Sequence, residues 1–332
     1  MGKQALAGVG VTTPVILAIS AFAALVSMGG ASKASIFLGK GENEQAERVV
    51  GSCTWMLLLL SVLLTGIMLA FGRPILLLFG ASADTILFAS DYMNIYCLGT
   101  VFTQLTLGLN AFITAQGKTL VSMGNVAVGA ATNIVLDAVL INGFHMGVKG
   151  AALATIISQG VSACFVIRYL CSGKSVLRLR LRNISFDGKH LWPCILLGTS
   201  PALMQLTENL VAISFNTSLQ IYGGDMAVAA IFTNDAALIA YTIRSMRIYL
   251  AALLIYGVQV ACQYSFVALD QAPKAIFLTI WRKIILLIPL IFLLPHFWPD
   301  AVMGVYLAEA IADTIAVCTT APMFYVYYRK LK

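Results

Sequence analysis

Long apolar runs with almost no charged residues recur along the chain and limit what it can fold into. Each run reaches or approaches the roughly 20 residues that a helix needs to cross a hydrocarbon layer of about 30 Å. Hydrophobic residues make up 60% of the chain and charged residues only 11%, against roughly 25% charged residues in soluble domains. We therefore predict an all-α polytopic membrane protein with about nine transmembrane helices. The runs are residues 11–32, 49–72, 92–117, 119–144, 150–167, 191–224, 248–269, 284–295 with its flanks, and 301–328.

The basic residues fall mainly in alternate loops between these runs. Because Lys and Arg are enriched in cytoplasmic loops, these loops and the carboxy terminus are predicted to be cytoplasmic. The net charge of +7 is then a sign of membrane topology rather than of nucleic-acid binding. The residues concerned are Lys33, Lys40, Arg48, Lys118, Lys174, Arg178, Arg180, Arg182, Lys189, Lys274, Arg329, Lys330 and Lys332.

An internal repeat indicates two homologous helical bundles. MNIY at 93 recurs as MRIY at 246, Phe112 before AQGK matches Phe266 before LDQAPK, and MGVKGAALA at 146 matches MGVYLAEAI at 303, at offsets of 153, 154 and 157 residues. An even number of predicted crossings separates the copies, so they point the same way and are related by a pseudo-two-fold axis along the membrane normal. The predicted parts are an amino-terminal lobe at 1–172, a basic linker at 173–190 and a carboxy-terminal lobe at 191–332.

Four polar residues inside two neighbouring helices predict an ion site. A carboxylate in a membrane helix is costly unless it is paired, hydrated or protonated, so it is a functional candidate by default. Asn133 and Asp137 are four residues apart on one helix, as are Thr155 and Gln159 on the next, so each pair shares a helix face. These groups suit Na⁺ or a proton-binding carboxylate, or else a structural hydrogen-bond network between helices.

The chain resembles the multidrug and toxic compound extrusion (MATE) family, of the bacterial type. The resemblance lies in the order and spacing of PVILAISAFAALVSMGGASKASIFLGKGE, GASADTILFASDYMNIYCLGT, NAFITAQGKTLVSMGNVAVGAATNIVLDAVLI, GVKGAALATIISQ, SPALMQLTENLVAISFN and YGGDMAVAA. It implies a multi-pass exporter in the bacterial inner membrane that expels organic cations or drugs in exchange for Na⁺ or H⁺. By the family pattern, Asn133, Asp137 and Thr155 form the coupling site, and Glu208 matches a membrane Glu implicated in cation or substrate binding.

Further polar residues are candidates for a cavity or substrate site, with polar contacts between helices as the alternative. The set is Gln104, Asn110, Gln159, Glu208, Tyr256, Gln259, Gln263, Glu309 and Asp313. Asp91 and Tyr92 are instead expected at the membrane interface. The arginines are expected in loops, which favours a drug exporter over a lipid-linked oligosaccharide or polysaccharide flippase, the main alternative.

No enzyme, cofactor or metal centre other than a Na⁺ site is expected. The histidines are far apart in sequence and the seven cysteines stand singly, so catalytic and ligand spacings are missing, and an intramembrane enzyme is only a remote alternative. The expected partners are small organic cations or drugs and membrane lipids, without nucleic acid, and the chain is expected to be a monomer.

Two features predict an incomplete transporter. The family's first helix, with its Asp, has no counterpart here, and the amino copy of the repeat has two helices before MNIY whereas the carboxy copy has one before MRIY. A gap near Ala230 and Ile231 that removes two helices would explain the mismatch. It would leave five helices in the amino-terminal lobe and four in the carboxy-terminal lobe, and we expect such a chain to be inactive as a pump.

Overall fold

The computed structural model describes residues 3–79, 81, 85–229 and 255–331, which form helices and no strand. The predicted gap at 230/231 and the MRIY segment lie outside the described residues. The helices are α1 (Lys3–Gly39), α2 (Asn43–Leu78), α3 (Ile86–Leu98), α4 (Thr100–Ala115), α5 (Thr119–Asp137), α6 (Gly147–Cys171), α7 (Gly188–Ala229), α8 (255–268), α9 (Ala272–Ile280), α10 (Ile288–Phe297) and α11 (Ala301–Leu331). A π-helix extends α5 over Ala138–Gly143, and another, Trp281–Leu287, joins α9 to α10.

The helical spans confirm a membrane fold. Within the described ranges, six helices are long and apolar enough to cross a membrane, or seven if α3 and α4, which are bent by 59°, form one span. The predicted run 191–224 lies within α7, and the run 248–269 lies partly outside the described residues. The turn from α4 into α5 contains Gly117, whose φ of 75° suits glycine because other residues are strained there.

The chain divides into two compact units, Met1–Ala202 and Leu203–Lys332. The border between these units lies inside α7, which contributes to both; the two lobes joined by a basic linker at 173–190 stay a prediction. In the first unit, α1 and α7 approach backbone to backbone at Gly29 and Gly198. A Cβ added to Gly198 would overlap the carbonyl oxygen of Leu25, and one added to Gly29 would overlap that of Cys194. Such small-residue contacts are common between membrane helices.

The linker between α6 and α7 is held on the first unit by polar contacts. The Gln116 side-chain oxygen at the end of α4 accepts hydrogen bonds from Ser175 Oγ at 2.9 Å and from the backbone N–H groups of Val176 at 2.8 Å and Leu177 at 3.2 Å. Arg180 Nε lies 2.9 Å from Glu47 Oε2 on α2. These contacts fix the extended linker against the ends of α2 and α4.

His190, at the start of α7, also connects the linker to α2. Its Nδ1 lies 2.7 Å from Asp187 Oδ2, and its Nε2 lies 2.7 Å from Gln45 Oε1 on α2. The hydrogen bond with His190 lowers the pKa of the Asp187 carboxyl below its ordinary value. The ionised form of Asp187 therefore stabilises the folded linker.

Candidate ion and cation sites

A cavity of about 460 Å³ lies in the first unit, between α4, α5 and α6. Each helix contributes polar side chains about one turn or two turns apart, which places them on one face. The polar lining residues are Thr106, Asn110 and Thr114 from α4, Asn125 and Asn133 from α5, and Thr155, Ser158, Gln159 and Ser162 from α6. The lining holds amides and hydroxyl groups but no charged side chain, so it offers neutral oxygens to a ligand.

Several of these groups are buried without a hydrogen-bond partner in the described part of the chain. They are Asn110 Oδ1, both polar side-chain atoms of Asn125, Asn133 Nδ2 and Gln159 Oε1. A buried polar group that lacks a partner is destabilising, and native proteins rarely leave one unsatisfied. The cavity is therefore built for water, an ion or a polar ligand, and not for an apolar molecule alone.

The structure brings Asn133 and Thr155 together on this cavity and places Asp137 one helical turn beyond Asn133. Asp137 is the last residue of α5, directly before the π-helix Ala138–Gly143, and its Oδ1 is buried without a hydrogen-bond partner among the described groups. Asp137 itself does not belong to the cavity lining. Asn133 and Thr155, two of the three predicted coupling residues, thus line the cavity. The third, Asp137, lies at the carboxy-terminal end of α5, one turn beyond Asn133.

Tyr92, which was expected to lie at the membrane interface, also belongs to this region. Tyr92 is buried, and its hydroxyl lies 3.4 Å from Thr155 Oγ1, which also donates to the Ala151 carbonyl at 2.9 Å. Its neighbour Asp91 is about half exposed and lies 3.5 Å from Lys149 Nζ. Residues 91 and 92 lie on different sides of α3 because successive residues of a helix face different directions. Neighbours in the sequence can therefore have different surroundings.

Gln104 connects two helices and is absent from the cavity lining. Its Nε2 donates to the Ile19 carbonyl on α1 at 2.8 Å, and the residue is fully buried. This contact fits the structural alternative for Gln104, since a side-chain amide that bonds a neighbouring backbone joins membrane helices.

A cluster of charges lies in the second unit, and it is largely buried except for the Glu208 side chain. Arg282 Nε pairs with Asp313 Oδ1 at 2.5 Å, and Arg282 Nη2 lies 3.7 Å from Glu309 Oε1. Lys283 Nζ pairs with Glu208 Oε2 at 2.5 Å. The ring of Tyr256 stacks over Arg282, with the guanidinium carbon 4.1 Å from the ring centroid. Charges in a membrane protein must be paired because their desolvation is costly, and this cluster contains three carboxylates and two bases.

Gln259 and Gln263 extend this cluster along α8. Gln263 Nε2 donates to Thr279 Oγ1 at 2.5 Å, and Thr279 is one turn before Arg282 on the facing helix. Gln259 lies between Tyr256 and Gln263 on the same face of α8, and both of its side-chain polar atoms are buried without a hydrogen-bond partner within the described ranges. All six polar candidates of the carboxy-terminal part therefore lie on the helices that form this one cluster.

The prediction that the arginines lie in loops is wrong for Arg282, and Lys283 was also missed. The uncharged run predicted as a helix is 284–295 with its flanks, whereas the helical span begins at Ala272. Both bases lie inside it and are almost fully buried. Their carboxylate partners lie on α7 and α11, far away in sequence, so only the folded structure shows that their charges are neutralised.

Comparison with known proteins gives a consistent assignment. The MatE family model matches residues 1–139. The multidrug export protein MepA of Staphylococcus haemolyticus is 28% identical over 218 residues, which is 66% of this chain and 48% of that protein. MepA of Staphylococcus aureus strain NCTC 8325 is 26% identical over 225 residues, or 68% of this chain and 50% of that protein. The match thus spans about half the length of these relatives, which are export proteins and not enzymes.

The fold agrees with a solved structure over the whole chain. A multidrug resistance MATE family transporter of the MOP superfamily, in an outward-facing conformation, superposes with a TM-score of 0.93 at 19% identity, covering 100% of this chain and 89% of that one. Identity this low supports the fold alone. The family model, the relatives and the fold therefore agree that this helical membrane protein is similar to MATE transporters.

Proposed function

We propose that this chain carries the ion and substrate sites of a secondary active exporter of small organic cations or drugs, which exchanges them for Na⁺ or H⁺. The observation that carries the proposal is the arrangement in the first unit, where Asp137 follows a cavity of neutral oxygens that includes Asn133 and Thr155. Carboxylate, amide and hydroxyl oxygens are ligands for hard cations, and a single carboxylate beside them can instead bind a proton. The names of the MepA relatives support multidrug export.

Antiport requires that the ion and the substrate favour different states of the protein. An ion bound at Asp137 then weakens substrate binding, and the substrate weakens ion binding by the same factor. Asn133 and Thr155 would hold a Na⁺ ion beside the carboxylate, or solvate the carboxyl group while it exchanges a proton. The unpartnered amides of the cavity can solvate the ion or bind the water molecules around it.

The charges of the second unit support a cationic substrate. Its cluster has one carboxylate more than it has bases, and Tyr256 presents an aromatic face, which attracts cations. A flippase for anionic lipid-linked sugars would need basic groups free to bind the anion. Arg282 and Lys283 are each paired with carboxylates, so the described residues favour the export of cations.

The function is tested by ligand binding, because binding needs only the sites, whereas transport needs the complete cycle. The purified chain is titrated with tetraphenylphosphonium, an organic cation, in Na⁺ or K⁺ at constant ionic strength and at several pH values. We expect binding that weakens in Na⁺ or at low pH. Asp137→Asn should remove that ion dependence while the protein stays folded.

Asp91→Asn is the matched control, because it makes the same chemical change at an exposed carboxylate outside the cavity. It should leave the ion dependence as in the unchanged protein. Tetraphenylphosphonium binding that depends on Na⁺ or pH equally in the Asp137→Asn protein would contradict the proposal.

A further inference from the structure

We propose that Lys283 is a built-in cation that occupies Glu208 and that an incoming organic cation must displace it. This inference rests on the proposed function, since it concerns how a cationic substrate gains access to a carboxylate. Lys283 would then decide which cations bind.

The two partners of the Lys283–Glu208 pair differ in their access to the surroundings. The Lys283 side chain is 2% exposed, whereas the Glu208 side chain is 57% exposed, although Nζ and Oε2 are 2.5 Å apart. A molecule at the protein surface can therefore contact the Glu208 carboxylate but not the Lys283 ammonium group. An external cation can compete with Lys283 for Glu208, whereas an external anion has no comparable approach to Lys283.

The remaining charges of the cluster leave Lys283 free to exchange partners. Arg282 is held by Asp313 at 2.5 Å on its Nε side, and Glu309 lies 3.7 Å from its Nη2. In the described residues Lys283 has one ion pair, with Glu208, and Glu309 lies within electrostatic reach of Lys283 as well. A buried lysine that lost its carboxylate would be strongly destabilising, so displacement requires a second acid, and Glu309 is placed to serve as that acid.

The local backbone also favours a functional role. Arg282 and Lys283 are adjacent in sequence, and both are buried in the π-helix Trp281–Leu287. The wider π turn brings neighbouring residues closer to one face than an α-helix does, and π turns inside α-helices are frequent at functional sites. Lysine is suited to movement because its ammonium group sits on a flexible four-carbon stem, whereas the planar guanidinium of Arg282 is fixed by geometry.

The neighbouring groups indicate the class of cation that would take the place of Lys283. The Lys283 Nζ lies 5.9 Å from the centroid of the Tyr256 ring, and Gln259 adds an unpartnered amide one turn further along α8. A monovalent organic cation restores the charge that Glu208 loses when Lys283 leaves and can contact the aromatic ring. A neutral molecule does not replace that charge.

The inference is tested by titrating purified protein with tetraphenylphosphonium and comparing Lys283→Met with the unchanged chain. Without the competing ammonium group, we expect binding to become on the order of tenfold tighter, a modest factor because Glu208 is partly screened by its surroundings. Adding Glu208→Gln to Lys283→Met should abolish the gain. Lys274→Met is the matched control, since Lys274 lies over the ring of Tyr327 at 3.8 Å and is not part of the cluster, and it should leave affinity unchanged.

The possible outcomes separate this inference from the proposed function. Lys283→Met protein that is folded and binds tetraphenylphosphonium no more tightly than the unchanged chain would overturn the role of Lys283, whether or not Asp137 confers ion dependence. Weaker cation binding in Lys283→Met, or a gain that persists with Glu208→Gln, would also overturn it. The proposed function fails instead if the ion dependence of binding does not require Asp137, whatever Lys283→Met does.

A second measurement detects the exchange of partners without any ligand. If Lys283 can pair with either acid, Glu208→Gln and Glu309→Gln should each have a small effect on unfolding, whereas the double variant should be destabilised by clearly more than the sum. Additive effects in the double variant would show that Glu309 does not receive Lys283, and would refute the exchange.

Discussion

Breaking the Arg282–Asp313 pair should strongly destabilise the second unit. Both side chains are almost fully buried, at 3% and 2% exposed, with Nε and Oδ1 2.5 Å apart. Asp313→Asn leaves the guanidinium, which stays charged in proteins, with Glu309 at 3.7 Å as its one remaining acid among the described residues. Removing one partner of a buried pair costs about 3–5 kcal/mol. Because Glu309 still offsets part of the charge of Arg282, we expect the free energy of unfolding to fall by about 3 kcal/mol, the lower end of this range.

The assay is equilibrium unfolding of the purified protein in mixed micelles, followed by helical circular dichroism. Asp91→Asn serves as the control, because its partner Lys149 is exposed and exposed ion pairs contribute about 0–1 kcal/mol. Replacing both members of the buried pair, with Arg282→Met and Asp313→Leu together, should recover most of the loss, since no unpaired charge then remains. An Asp313→Asn protein as stable as the Asp91→Asn control would refute the reasoning.

Three further outcomes are expected. Gly198→Leu should destabilise the first unit in thermal unfolding, because any side chain there overlaps the Leu25 carbonyl; unchanged stability would contradict the close helix contact. The Asp187 carboxylate, whose pKa is lowered by His190, should stabilise the fold above the ordinary Asp pKa of about 3.9 and lose this effect as pH falls through its lower folded value. The stability difference between the unchanged protein and Asp187→Asn should therefore vanish in acid, and a constant difference would contradict it. A cysteine at Val176, an exposed position of the linker, should react with an impermeant reagent only from the cytoplasmic side if the basic loops are cytoplasmic.

The sequence was sufficient to predict the membrane fold, because an apolar run must form a helix to satisfy its backbone in lipid. It underestimated helix length. The helix α1 runs from Lys3 to Gly39, about 55 Å at 1.5 Å per residue, whereas the predicted run covers 11–32. Hydropathy marks only the segment that contacts hydrocarbon, so helical ends that extend beyond it carry no such signal.

The candidate residues were found from their polarity, but their partners were not. Asn133 and Thr155 stood out as polar groups in apolar helices, and the cavity brings them together. Asn125 in the same cavity was overlooked, although its spacing of eight residues from Asn133 could have placed it on the same side of α5. Lys283 was missed because its neutralising partner, Glu208, is 75 residues away and no local pattern links the two.

The central proposal, that Asp137 exchanges a coupling ion for an organic cation, is tested most directly by the ions released on substrate binding. Tetraphenylphosphonium is added to purified protein in weakly buffered micelles, and released H⁺ is followed with a pH dye and released ²²Na⁺ by counting. The account predicts that cation binding releases ions, because ion and substrate weaken each other's binding, and that the Asp137→Asn protein releases none. Release that persists undiminished in Asp137→Asn, or cation binding to the unchanged protein without any ion release, would contradict it.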